Sequence, residues 1–144
     1  MGLTLSGQER IFLDTAPLIY LFEKNEKYEA VLRTFFSNPT VRQCRWSTSV
    51  VTLIEALTLP RRNRLARLED AYRRFLTDAH RIELKAADAD VCEKAIHFRA
   101  EYGLKTPDAI QLATAQVCRA DAVITNDQNW KKIKELRVVT LDEL

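Results

Sequence analysis

Four carboxylates, Asp14, Glu55, Asp108 and Asp127, stand where an acidic site could be assembled from distant segments. Asp14 follows the apolar run Ile11-Phe12-Leu13, and Asp127 follows Ala122-Val123-Ile124. Acids just after short buried strands fall at the carboxyl edge of a sheet, where α/β folds bind their ligands. Asp108 lies in "LKTPDAIQLATA", where Thr106-Pro107-Asp108 is a helix start. Glu55 lies mid-helix in "VVTLIEALTL", with Val51, Ile54 and Leu59 nearby. Capping is not open to it there, and burying an isolated charge is costly, so a partner is expected. Each of the other three also has a plain structural use: Asp14 as a cap, Asp108 at the helix dipole, Asp127 in a turn. If all four meet, their repulsion raises their pKa values unless cations compensate. An oxygen-only set without His or Cys suits a hard ion, Mg²⁺ or Mn²⁺.

The elements that must position these acids follow from apolar runs and turn signals. "RIFLDTAP" predicts a buried strand ending at Asp14, then a helix with Pro17 in its first turn. A second helix is expected around Tyr28 to Phe36, up to the break at Asn38-Pro39. "VRQCRWST" reads as the next strand, with Ser47, Thr48 or Ser49 available to cap a helix closed by Pro60. Leu65, Leu68, Ala71, Tyr72, Phe75 and Leu76 recur at helical spacing. "RIELK" is a brief strand, and a helix from about Ala87 to Tyr102 stops at Gly103. After the Asp108 helix come a strand in "DAVITND", a short helix in "QNWKKIKEL" and a last strand in "RVVTL". Strands alternating with helices argue for an α/β domain around a parallel sheet.

At 144 residues with 47% hydrophobic and 29% charged residues, the composition is that of an ordinary soluble domain. Residues 1–9 are expected to be a flexible leader and 10–144 a single domain. The net charge of +2 names no partner. Cys44, Cys92 and Cys118 form no metal-type pair, which favours reduced thiols and a cytoplasmic protein. No apolar run approaches the ~18 residues of a membrane span. "MGLTLS" and the terminal "LDEL" match loose lipidation and retention patterns, neither of which carries weight here.

"IFLDTAPLIYLFEKN", "TSVVTLIEAL", "LKTPDAIQLATA" and "VITNDQNW" together resemble, in order and rough separation, a PIN-domain ribonuclease, most like the VapC-type toxins. The similarity runs from Ile11 to the closing "VVTLDEL". It implies a three-layer α/β/α domain with a mainly parallel central sheet. It also implies metal-binding, catalytic carboxylates at Asp14, Glu55, Asp108 and Asp127, with Thr125 of the T-x-D element helping to hold the site. Asp108 would then both open its helix and serve the site. Trp130 stands where many relatives carry Phe, and Asn129 where some place a further acid. The implied activity is Mg²⁺- or Mn²⁺-dependent cleavage of RNA, with a cognate antitoxin and commonly a homodimer. The first helices, "PLIYLFEKNEKYEAVLRTFF", could supply part of either interface or simply pack in the core.

Between Arg61 and Arg81 seven arginines face three acids, an excess able to attract a polyanion. Arg61, Arg62 and Arg64, with Lys105 near the Asp108 helix, are the substrate-contact candidates. Trp46, Trp130, His80 and His97 are expected to be packing or surface residues. A haloacid-dehalogenase-type phosphatase would require D-x-D, and Ala16 stands at the second position after Asp14. A receiver domain would need a strand-end lysine and paired acids near the amino terminus. The alternative of another class is a PIN-like domain that binds RNA or protein without turnover.

Overall fold

Three apolar residues at the start of the chain make the middle of the sheet. Ile11, Phe12 and Leu13 of β1 (Arg10–Leu13) are fully buried, with helices on both faces. The structure, a computed structural model, describes residues 2–144; Met1, part of the expected leader, lies outside the described residues. β1 pairs in parallel with β2 (Arg45–Ser49) and with β4 (Ala122–Thr125). β3 (Glu83–Lys85) extends the sheet beyond β2, and β5 (Val138–Thr140) beyond β4. All pairs are parallel and the order is β3-β2-β1-β4-β5. The strand order reverses between β1 and β4, which opens a crevice at their carboxyl ends.

The layers follow from the strand alternation. Ile11 and Leu13 pack with Ile124 under α1 (Thr15–Phe22), α2 (Glu29–Ser37), α4 (Val50–Arg62) and α5 (Ala66–Thr77). Phe12 and Val123 face α6 (Ala89–Tyr102) and α7 (Thr106–Val117), which contribute Val91, Ala95, Phe98 and Leu112. The three-layer α/β/α arrangement is therefore the one expected. Gly103 ends α6 in the left-handed region, as its type allows.

Three local differences have identifiable causes. The strand expected from Val41 begins only at Arg45, because Asn38-Pro39 starts a short helix rather than breaking one. The Asn38 side chain accepts from the Thr40 N–H at 2.9 Å, and Pro39 opens α3 (Pro39–Gln43). The α4 helix continues through Pro60 to Arg62: in the last turn a proline forfeits one hydrogen bond, and the Leu65 N–H returns to the Pro60 carbonyl at 2.8 Å. "QNWKKIKEL" forms only a 3₁₀ turn, Gln128–Lys132, stopped before Ile133 turns into the core.

Residues 2–9 hold no helix or strand, but Leu3 and Leu5 pack against the α1–α5 side of the core. Gly7 has φ +95, and a Cβ there would lie 2.9 Å from the Gln43 Oε1. Gly7→Ala is therefore expected to lower the unfolding free energy by about 1–2 kcal/mol, measured by urea denaturation; an unchanged midpoint would mean that this segment adds nothing to stability. The buried indole N–H of Trp130 has no hydrogen-bond partner. Trp130→Phe removes that unpaired donor along with some volume, so its stability should stay within about 1 kcal/mol of wild type, whereas Trp130→Ala should lose about 3–5 kcal/mol.

Candidate active site

Asp14 leaves β1 directly into α1 and is 8% exposed. Its backbone N–H donates to the Ile124 carbonyl at 3.0 Å, which ties the end of β1 to β4. Its carboxylate caps α1 by accepting from the Thr15 N–H at 2.7 Å. Thr125, buried at the end of β4, donates its hydroxyl to the other oxygen at 2.7 Å. That same hydroxyl accepts from the Asp127 N–H at 3.0 Å, so Thr125 links the two aspartates. Burial pushes the Asp14 pKa up to about 6, with Glu55 and Asp108 adding repulsion; the bonds from Thr125 and Thr15 pull the other way.

Asp108 sits in the first turn of α7, half-buried. Its pKa is raised by burial first, then by the charges of Asp127 and Glu55, against a smaller opposing effect of Lys105. Asp127 caps the 3₁₀ turn by accepting from the Asn129 N–H at 2.9 Å. Glu55 differs from expectation: it is exposed, because the α4 face it shares with Ile54 (63% exposed) and Leu59 (53% exposed) points away from the core. It nevertheless has its partner, since the Thr15 hydroxyl donates to it at 2.9 Å. Asp14, Glu55, Asp108 and Asp127 thus lie at one edge and act on one another electrostatically.

Buried hydroxyls and one amide hold this edge together, and sequence reasoning did not single most of them out. Gln111, 1% exposed, reaches Asp14 at 3.1 Å, Thr15 at 3.0 Å and Thr52 at 2.9 Å through its amide nitrogen. Its carbonyl oxygen accepts from the Ser49 hydroxyl, which also caps α4 by accepting from the Val51 N–H. Thr48 donates to the Leu13 carbonyl at 2.7 Å. The available signal was a lone amide between Ile110 and Leu112, three residues after Asp108 on a helix whose neighbours are apolar.

The PIN domain family model matches residues 11–136. The chain belongs to the PIN domain family. No curated protein sequence matches it significantly. Among solved structures, a chain of a toxin–antitoxin complex from Klebsiella pneumoniae is 27% identical with a TM-score of 0.68, covering 93% of this chain and 99% of that one. A chain of the DNA-bound VapBC complex from Salmonella typhimurium is 23% identical, with a TM-score of 0.65 and coverage of 93% and 99%. VapC20 of Mycobacterium tuberculosis, described as a sarcin–ricin loop cleaving toxin, is 19% identical, with a TM-score of 0.70 and coverage of 88% and 98%. The two less identical structures show the shared fold.

Around this PIN edge the cations divide into paired and unpaired. Arg61 and Arg73 both bind Glu69, at 2.6 and 2.9 Å. Arg74 pairs with Asp70, and Arg81 with Asp78. Arg62, Arg64 and Lys105 are exposed and form no ion pair among the described residues. Trp46 packs its ring on Phe35 and Phe36, and its indole N–H donates to the Val41 carbonyl at 3.1 Å. His97 bonds Glu135 at the surface.

Among the described residues no three His, Cys, Asp or Glu side chains form a ready-made metal cage. The donor set still fits a hard divalent ion of the kind that keeps several of its waters: every donor is a carboxylate oxygen, and Asp14 and Asp108, raised in pKa chiefly by burial, are raised further by the neighbouring acids. The sign of the consequence is definite. A carboxyl whose folded-state pKa lies above its unfolded value of 3.8 costs the fold nothing at low pH, and its penalty grows from about pH 4 and levels off above about pH 6. In chelator, Asp14→Asn should gain roughly 2–3 kcal/mol relative to wild type as pH rises from 4 to 7.5, measured by urea denaturation. A pH-independent difference between the two proteins would show that Asp14 carries no such penalty.

Proposed function

We propose that this PIN domain is a metal-dependent endoribonuclease and the toxin of a toxin–antitoxin pair. The observation that carries the reading is the meeting of four carboxylates at the β1/β4 crevice, with Lys105 the cation felt there. A domain that only bound RNA would gain nothing from an acidic cluster facing a polyanion. Asp14, Glu55, Asp108 and Asp127 would hold the Mg²⁺ or Mn²⁺. When bound, such an ion lowers the pKa of a water and compensates charge on the phosphoryl oxygens.

The chain's own residues have separable tasks. Thr125, the Thr15 N–H and Gln111 fix the Asp14 carboxylate, so that its orientation is set before any ligand arrives. Asp108 accepts no hydrogen bond from another side chain among the described residues. Its oxygens are therefore free, and burial has raised their proton affinity, which suits it to take a proton from water. Arg62, Arg64 and Lys105, with the Glu69-bound Arg61 as a weaker contributor, would draw the phosphodiester backbone towards the crevice. Arg62 lies seven residues beyond Glu55 on α4, about 10 Å along the helix axis.

Two of these structural relatives come from toxin–antitoxin complexes, which supports an antitoxin partner here. The exposed Ile54 and Leu59 on the Glu55 helix give such a partner apolar surface beside the acids. Their exposure also leaves room for a homodimer contact. The apolar residues of the first two helices, by contrast, are largely spent on the core.

The test is cleavage of a mixed single-stranded RNA pool by purified protein free of any partner. Wild type with Mg²⁺ or Mn²⁺ should cut, chelator should stop it, and Asp108→Asn should lose at least ~100-fold while remaining folded. Undiminished cutting by Asp108→Asn would overturn the site assignment. RNA binding without turnover in a folded, metal-loaded wild type would favour the binding-domain alternative.

A further inference from the structure

The opposite edge of the sheet carries the reverse charge. Between the end of α7, the starts of β1 and β2 and the short strand β3 lies a cavity of about 350 Å³. Its charged lining is Arg10, Arg45, Lys85 and Arg119 against a single carboxylate, Glu83. Arg10 and Arg45 are register partners on neighbouring parallel strands, so their side chains leave the same face side by side. Like charges set directly opposite each other across a strand pair are destabilising.

Among the described residues no ion pair relieves that repulsion. Arg10, Arg45 and Arg119 form no ion pair among the described residues, whereas Lys85 is held by Asp88 at 2.8 Å. The nearby Asp121 accepts from the backbone N–H of Arg10. Arg119 stands at φ 54, a left-handed conformation that a side chain bearing a Cβ adopts at a cost. Between these cations, burial pushes the Cys118 thiol up and keeps it neutral.

We propose that this amino-edge pocket binds a small phosphate-bearing molecule, with the guanidinium groups of Arg10 and Arg45 gripping the phosphate and Arg119 closing the rim. Two adjacent unpaired guanidiniums supply the planar donors that match a phosphate. The cavity, about 350 Å³, lies in the size range of small-molecule sites. The site shares no residue with the acidic crevice and does not depend on the nuclease reading.

Titration calorimetry at fixed ionic strength, in chelator, tests this with adenosine 5′-monophosphate and with inorganic phosphate. Wild type should give saturable one-to-one binding of at least one of them. Tighter binding of the nucleotide identifies an ester as the occupant, and equal binding identifies the free anion; both support the site. Arg45→Gln should weaken binding about tenfold or more, and the exposed, distant Arg74→Gln should leave it unchanged. Arg119→Gly relieves the left-handed strain, so it should weaken binding while raising the melting temperature, which separates lost contact from lost fold. Absence of saturable binding to both probes, or equal weakening in Arg45→Gln and Arg74→Gln, would overturn the proposal.

Discussion

A carboxylate buried at the end of the central strand is the constraint around which this molecule is arranged. Asp14 is shielded from water, yet it receives only neutral donors: a hydroxyl from β4, a backbone N–H from α1 and an amide from α7. Those donors do not offset burial and the neighbouring acids, since the pKa still rises to about 6. The arrangement is therefore costly for the fold by itself, and it is also what joins the fold. One side chain fastens β1 to β4, α1 and α7, and Gln111 extends the same network through Ser49 to the start of α4. A site that costs stability while holding several elements in register is what is expected where function, rather than folding, has set the residue types.

The four acids differ in burial, and the differences divide their work. Asp14 is enclosed, Asp108 and Asp127 are half-buried, and Glu55 is exposed. The enclosed member has its orientation fixed by three donors. The outer members keep freedom to meet a ligand, Asp108 most of all. Glu55 retains one link inward, through the Thr15 hydroxyl that also touches Thr52 and Gln111. Orientation therefore spreads from the buried end of the crevice outwards through hydroxyls, without any further charge.

The strands were readable because Ile11-Phe12-Leu13 and Ala122-Val123-Ile124 are short apolar runs ended by polar residues, Asp14 and Thr125, and a buried parallel strand has few other ways to appear. Asp14 was readable as the first polar residue after its run, and Asp127 as the acid three residues beyond Ile124. What could not be read was polar residues placed inside apolar surroundings. Thr52 and Gln111 look like ordinary helix residues, and Ser49, expected as a cap and found as one, gave no sign of its further bond to Gln111 until the fold brought them together. Pro60 and Asn38-Pro39 misled for a different reason. Proline stops a helix interior but is tolerated in a last turn and favoured in a first one, and its position in the helix is itself a consequence of tertiary packing. Glu55 carried the opposite error: apolar neighbours in sequence implied burial, although Ile54 and Leu59 share its outward-facing side.

A parallel sheet collects every strand start on one edge and every strand end on the other, so a chain of net charge +2 can still be strongly polarised. Here the ends gather Asp14, Asp108 and Asp127, and the starts gather Arg10 and Arg45. The distance between the edges decides whether they influence each other. Arg10 and Asp14 are four residues apart on one extended strand, roughly 13 Å. At an effective dielectric of about 20, unit charges at that separation interact by only about 1 kcal/mol, less than the burial penalty on Asp14. Consistently, the groups that shift Asp14 are its burial, its hydrogen-bond donors and the neighbouring acids, with no arginine among them. The sheet is thus thick enough along its strands to keep two sites of opposite charge from neutralising each other. An anion at the amino edge would leave the acidic crevice close to its unliganded state, so the two edges act as separate sites on one scaffold.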